Sequence, residues 1–154
     1  MKVSTRYNGV KAVEGKEIWL NSTKKITKLP DILNNSVLYP LPYFMRKDES
    51  DLKIIVKKPS TVYIARIPDK QDSNTTSRSR RGWKSSDLNN WGFKFIKNEE
   101  VLTDLRLHDT GSSSLSLYKK SISVKDKKGN LLTFSTTETE ESLVAIFVKK
   151  GNDT

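Results

Sequence analysis

The stretch Thr61-Val62-Tyr63-Ile64-Ala65-Arg66-Ile67 predicts the strand around which the chain folds. It is rich in the β-branched and aromatic residues that favour strands, and it follows a Pro-Ser pair typical of a connection. Because strand side chains alternate, Val62 and Ile64 lie on one face. Tyr63 and Ala65 lie on the other face. A strand that is apolar on both faces needs cover on both sides, so we expect Thr61–Ile67 to be central.

The last apolar run, Leu143–Val148, has the same two-faced pattern and is predicted to be a second central strand. Short apolar runs separated by turn signals fill most of the remaining chain, enough for about eight to ten strands. No segment indicates a long helix. The sequence therefore predicts an all-β fold, an antiparallel β-sandwich of jelly-roll-like type, as a single domain over residues 1–154.

Several local predictions accompany this fold. The apolar positions switch from odd to even numbers across Lys119–Lys120, which predicts a bulge or bend there because a regular strand keeps its faces. Two prolines in Val37–Met45 indicate an edge strand or an extended cover. The turn signals predict hairpin turns at Lys57–Ser60 and Asp126–Asn130, and a turn between two strands at Lys97–Glu100.

The chain is strongly basic, with 28 Lys and Arg residues against 18 acidic residues and a formal net charge of +10. The excess is spread along the chain and favours anionic partners, namely nucleic acid, acidic polysaccharide or a membrane surface. A soluble Lys-rich surface with no such partner explains the charge equally well. The absence of cysteine excludes disulfides and thiol catalysis.

Residues 68–90 form the longest polar stretch and predict a long basic surface loop. Arginine forks match the oxygen atoms of phosphate, sulfate and carboxylate groups, and a tryptophan can stack on a base or a sugar face. In the alternative interpretation the tryptophan is buried and the arginines are only solvated. The candidate ligand-binding residues are Arg78, Arg80, Arg81, Trp83 and Lys84.

Catalytic patterns are weak in this sequence. The single histidine, His108, is followed by Asp109 in a Ser/Gly-rich segment, and no nucleophile elbow or glycine-rich phosphate loop is present. We therefore expect no catalytic residue, no metal site and no cofactor, and we expect that the protein is not an enzyme. No window of 18 apolar residues indicates a membrane span, and no signal peptide is visible in this chain.

Three short motifs follow one another in the order Val62-Tyr63-Ile64-Ala65, then Trp83 or Trp91 with Gly92-Phe93, then Leu117-Tyr118-Lys119-Lys120-Ser121. They resemble a β-sandwich module that accompanies catalytic domains in bacterial secreted polysaccharide-degrading enzymes. The resemblance spans roughly residues 50–124, although the segment before Gly92 is longer and more basic here. It implies an ancillary, non-catalytic role with glycan contact, and it transfers no binding residue.

Two functional hypotheses follow from these observations. The first is a non-catalytic binding or interaction module for an anionic or neutral glycan, outside the cell or at the cell surface, with protein partners left open. The alternative is a nucleic-acid-associated basic protein that uses the Arg78–Lys84 loop. The two differ in the ligand that the same cations would bind.

Overall fold

In this computed structural model the described residues are 3–4, 9–20, 22–41, 52–66, 85–104, 114–134 and 144–151. They form ten strands, one 3₁₀ helix and one short α-helix. The strands are β1 (Val3–Ser4), β2 (Val10–Lys11), β3 (Ile26–Lys28), β4 (Val37–Pro40), β5 (Leu52–Val56), β6 (Ser60–Arg66), β7 (Lys94–Thr103), β8 (Ser114–Ile122), β9 (Asn130–Phe134) and β10 (Ala145–Lys150). The 3₁₀ helix is Asp31–Leu33 and α1 is Ser85–Asn90.

The strands form two antiparallel sheets. The large sheet has seven strands in the order β2-β4-β10-β6-β8-β7-β3, and the small sheet has three in the order β1-β5-β9. Apolar side chains from both sheets meet between them, as in a sandwich. The predicted all-β sandwich is therefore confirmed.

Strand β6 lies at the centre of the large sheet, between β10 and β8, and all seven of its residues are buried. Val62 and Ile64 contribute to the core between the two sheets, which we call the inter-sheet core. Tyr63 and Ala65 contribute to a separate core on the opposite face, which we call the N-terminal core. Strand β10, which is paired on both sides, alternates in the same way. Both predicted central strands are confirmed.

The N-terminal core is covered by the segment that runs from β2 to β4. This segment contributes Ile18, Trp19 and Leu33, all fully or almost fully buried. The Trp19 indole Nε1 donates a hydrogen bond to the Val144 carbonyl, 3.1 Å away, which ties the segment to the residue before β10. Buried indole N–H groups generally find such a partner. Because β2 and β3 lie at opposite edges of the large sheet, the residues between them reach from one edge to the other.

Two predicted hairpin turns instead carry the chain between the sheets. Lys57–Ser60 leads from β5 in the small sheet to β6 in the large sheet, and Asp126–Asn130 leads from β8 in the large sheet to β9 in the small one. The hairpin prediction is wrong in both places. A turn signal reports local backbone geometry, and it does not specify which sheet the next strand joins.

The register of β7 and β8 corrects two further predictions. Lys97–Glu100 is not a turn between strands but an irregularity within β7, whose pairing with β8 shifts between Ile96 and Glu100. Asn98 adopts a positive φ of 66° there. Strand β8 pairs with β6 without a shift, so no bulge lies at Lys119–Lys120. Its apolar residues change parity because Leu115 and Leu117 belong to the N-terminal core, whereas Tyr118 and Ile122 belong to the inter-sheet core.

Two other segments also differ from expectation. Strand β4 is not an edge strand, because it pairs with both β2 and β10. Its proline, Pro40, lies at the strand end, beyond the two residues that pair with β2, so the ladder on that side does not require its missing N–H. The last six residues of the stretch expected to be a loop, Ser85–Asn90, form α1, while residues 68–84 lie outside the described part of the chain.

We predict that Gly129→Ala destabilises the protein more than Gly15→Ala. Both glycines have a positive φ, 82° and 90°, so both substitutions carry the left-handed penalty of about 1–2 kcal/mol. A Cβ at Gly129 would also lie 2.7 Å from the Val56 carbonyl oxygen, whereas a Cβ at Gly15 meets nothing within 4 Å. The rearrangement that relieves this clash should add about 1–3 kcal/mol to the loss of stability in Gly129→Ala. Urea unfolding measures both losses, and equal losses would show that the turn does not press on β5.

Candidate functional site

The five candidate binding residues, Arg78 to Lys84, lie outside the described residues, as do His108 and Asp109. The structure does describe both flanks of the predicted basic loop. On one side, β6 ends at Arg66, which is 2% exposed, so this cation belongs to the interior rather than to the surface. On the other side, α1 is held against the inter-sheet core by the buried side chain of Leu88.

A cluster of lysines occupies one end of the sandwich. It comes from three segments: the crossing from β5 to β6, the crossing from β8 to β9, and the end of β10. Five of the six side chains are exposed and one is half-buried. Among the described residues of these segments, Asp126 is the one acidic residue. We call this surface the basic end, and its lysines are Lys57, Lys58, Lys125, Lys127, Lys128 and Lys150.

Hydrogen bonds hold the three segments together. The Lys57 ammonium donates to the carbonyl oxygens of Lys127 and Lys128, at 3.3 and 3.0 Å, and so links the two crossings. The Gly151 amide donates to the Pro59 carbonyl at 2.9 Å, which joins the end of β10 to the first crossing. The Thr61 hydroxyl donates a hydrogen bond to the Gly151 carbonyl at 3.1 Å. The basic end is therefore fixed by the Lys57 and Thr61 side chains together with backbone groups, and its exposed lysines do not define its shape.

Asp126 stabilises the turn through both its side chain and its backbone. Its carboxylate accepts a hydrogen bond from the Lys128 amide at 2.9 Å, and its carbonyl accepts one from the Gly129 amide at 3.2 Å. Asp side chains commonly bind backbone amides two residues along the chain in this way. One turn-forming carboxylate among six lysines leaves a strong local excess of positive charge.

The lysines around β3 have a different environment. The Lys25 amide donates to the Asp104 carboxylate at 2.8 Å, and the Leu29 amide donates to the Glu14 carboxylate at 3.1 Å. Glu17, a further acidic residue, is the backbone partner of Lys25 in an isolated antiparallel β-bridge. We call this group the β3 lysines, and its members are Lys24, Lys25 and Lys28. Because carboxylates accompany them, the β3 lysines provide a matched comparison for the basic end.

A lysine outside the basic end fixes the C-terminus of α1. The half-buried Lys120 ammonium donates to the Trp91 carbonyl at 2.9 Å. Gly92, with a φ of 89°, and Phe93 donate back to the carbonyls of Asn89 and Leu88, which closes the helix end. A cation at this position also complements the negative end of the helix dipole. Lys120 is thus a structural cation.

Two aromatic side chains, Trp91 and Tyr39, pack against the interior. Trp91 is half-buried and packs against the inter-sheet core. Tyr39 packs against the same core, and burial raises the pKa of its hydroxyl above the ordinary value of 10.0. The phenol therefore stays protonated at neutral pH and adds no negative charge.

The described residues contain no group of three or more His, Cys, Asp or Glu side chains placed to hold a metal ion. In the same part of the chain, no helix is long and apolar enough to cross a membrane.

No protein-family model matches the chain, and no curated protein sequence matches it. Two solved structures share its fold. One is a β-glucuronidase from glycoside hydrolase family 2, with a TM-score of 0.55 and 15% identity over 97% of this chain. The other is a GH138 enzyme targeting pectin rhamnogalacturonan II, with a TM-score of 0.57 and 16% identity over 99% of this chain.

This chain corresponds to only 14% and 16% of those two enzymes. At such low identity the likeness shows the fold alone. It agrees with the β-sandwich fold that the resemblance found in the sequence implies. The catalytic activity of either enzyme is not carried over to this chain by the match.

The basic end was missed by sequence reasoning. Its lysines come from segments about 20 to 90 positions apart in the chain, and each short run resembles an ordinary polar turn. The available signal was that both crossings are rich in lysine and nearly free of acid. That signal becomes meaningful only when the topology brings the segments together.

We predict that Lys120→Met weakens the attachment of α1 and lowers stability by about 1 kcal/mol, the contribution of one hydrogen bond. For a chain of this size such a loss corresponds to a melting temperature lower by about 2–4 °C. Lys94→Met, which removes an exposed lysine from the start of β7, is the control and should leave the melting temperature unchanged. Calorimetry distinguishes the two, and equal melting temperatures would contradict a structural role for Lys120.

Proposed function

We propose that this protein is a non-catalytic β-sandwich module that binds an acidic glycan through the basic end, outside the cell or at the cell surface. The observation that carries the proposal is the meeting of three lysine-bearing segments at one end of the fold, whose described residues include one carboxylate, that of Asp126 in the turn. Exposed ammonium groups on a fixed backbone attract carboxylate or sulfate groups without requiring the surface to reorganise.

The fold supports a role as one module of a glycan-processing system. The matched portions of the β-glucuronidase and of the pectin-targeting enzyme are each about a sixth of the enzyme or less. A module of that relative size suits an ancillary task such as holding the polymer near a catalytic domain. Secretion follows from this role, because pectin and similar acidic polymers are extracellular.

The predicted basic loop supplies a second candidate contact. Arg78, Arg80, Arg81 and Lys84 carry the same sign of charge as the basic end, and Trp83 is suited to stacking on a sugar face. We propose that the loop and the basic end act on the same class of ligand. Separate charge reversals test the contribution of each.

Nucleic acid is the competing ligand, because it would use the same cations. A polyphosphate backbone neutralised by lysines gives an affinity that falls steeply with salt, with a slope of about −0.9 per phosphate for duplex DNA. Salt dependence alone therefore does not separate the two ligands. A direct comparison of the affinities for polygalacturonate and for duplex DNA at one ionic strength separates them.

We predict that the triple reversal Lys125→Glu, Lys127→Glu and Lys128→Glu weakens polygalacturonate binding at least tenfold and flattens its salt dependence. The reason is that the reversal replaces attraction by repulsion at the centre of the basic end. Reversal of the β3 lysines to Glu changes the net charge equally, and it should leave binding within about twofold because carboxylates already balance that surface. Calorimetric titration measures both variants.

A third variant measures how much the basic loop contributes to polygalacturonate binding in the same titration. It carries the substitutions Arg78→Glu, Arg80→Glu and Arg81→Glu. Equal effects of the basic-end and β3 reversals would mean that only net charge matters. The basic end would then not be a specific binding site. Tighter binding to duplex DNA than to polygalacturonate would favour the nucleic-acid alternative. New reducing ends after incubation with polygalacturonate would show that the module is catalytic.

A further inference from the structure

An exposed aromatic ring lies on the large sheet close to the basic end. Phe95 in β7 is 56% exposed, an unusual value for a phenylalanine in a regular strand. It stands directly opposite Tyr118 in β8, so both side chains lie on the same face of the sheet. The ring centroids are 5.5 Å apart and the planes are inclined by 58°. Tyr118 is itself 6% exposed and belongs to the inter-sheet core, so it supports Phe95 from below.

Polar residues follow Phe95 along β7. The pairing of β7 with β8 shifts directly after Ile96, so Lys97, Asn98 and Glu99 leave the ladder two to four residues beyond Phe95. Lys97 and Asn98 are exposed, and Asn98 has a left-handed backbone. Bulges are frequent beside binding sites because they redirect side chains out of the sheet. The exposed ring is therefore followed in the chain by an ammonium, an amide and a carboxylate, groups that can bind the hydroxyls of a sugar.

A short length of β8 separates Phe95 from the basic end. Tyr118, the partner of Phe95, is four residues from Ile122, where β8 ends, which is about 13 Å along the strand. Lys125, the first lysine of the second crossing, follows three residues later. Lys120 and Ile122 are not part of the proposed surface, because the Lys120 ammonium is bound to the Trp91 carbonyl and Ile122 is buried. A linear polymer of several sugar rings is long enough to reach from Lys125 to Phe95.

We propose that Phe95 is a stacking subsite for one ring of an acidic polysaccharide whose other carboxylates contact the basic end. The inference rests on the proposed function and specifies it further: the ligand is a linear polyuronate long enough to span both surfaces. In this arrangement the lysines supply attraction to the charge of the polymer, while Phe95 recognises the apolar face of a sugar ring. Duplex DNA, with its bases stacked inside the helix, offers no such ring face.

The test compares Phe95→Ala with Leu131→Ala in titrations with a galacturonate dimer and a galacturonate octamer. Leu131 is a matched control because it is also 56% exposed and also lies on a strand. We expect Phe95→Ala to weaken octamer binding about two- to tenfold, the range that one aromatic contact contributes, without changing its salt dependence. Dimer binding and duplex DNA binding should be unchanged by Phe95→Ala, and Leu131→Ala should leave all three ligands unaffected.

The outcomes separate this inference from the proposed function. If the octamer binds and the basic-end reversal weakens it, but Phe95→Ala behaves like Leu131→Ala, the stacking subsite is wrong and the proposed function stands. If the octamer does not bind the unaltered protein, both are wrong. An equal loss of DNA binding in Phe95→Ala would overturn the sugar specificity. A change of sedimentation coefficient in Phe95→Ala would instead identify the ring as a contact between two copies of the chain.

Discussion

The large sheet is apolar on both faces, and the rest of the structure follows from that constraint. Strands β6 and β10 carry one buried set of side chains toward the inter-sheet core and another toward the N-terminal core. Each exposed CH₂ group of such a sheet would forfeit about 0.8 kcal/mol of transfer free energy, so neither face can remain open to water. The small sheet covers one face. The N-terminal segment, tied down through Trp19 and Leu33, covers the other.

The need for a second sheet also explains where the lysines gather. Strands β5 and β9 have to leave the large sheet and return, and the crossings Lys57–Ser60 and Asp126–Asn130 lie at the same end of the sandwich. Crossing turns are surface segments and tolerate charged residues without loss of packing. The topology thus brings together cations that are far apart in the chain. The basic end is therefore a consequence of how the strands are connected, whether or not it binds a ligand.

The central strands could be predicted from sequence because their signal is local. The alternation of Val62, Tyr63 and Ile64 is complete within the strand itself, and it holds whichever strands become the neighbours. The pairing partners could not be predicted, because a turn does not specify a sheet. The parity change in β8 was misread for the same reason: it reflects a change of core along a regular strand, not a bulge. The predicted binding residues of the basic loop lie outside the described residues, so that prediction stays a prediction.

The basic end does not depend on a ligand for its structure. Two ammonium groups about 10 Å apart in water repel each other by only about 0.4 kcal/mol, a small fraction of the stability of a domain. The hydrogen bonds among Lys57, Gly151 and their backbone partners fix the three segments independently of the exposed side chains. A surface built in this way is preorganised, and binding a polyanion removes a mild repulsion without ordering any backbone. Charge of this kind acts over about 10 Å at moderate salt, so it would attract any polyanion and would not select a particular sugar. In the proposed arrangement, selection would come from short-range contacts with the exposed ring of Phe95, which packs against Tyr118.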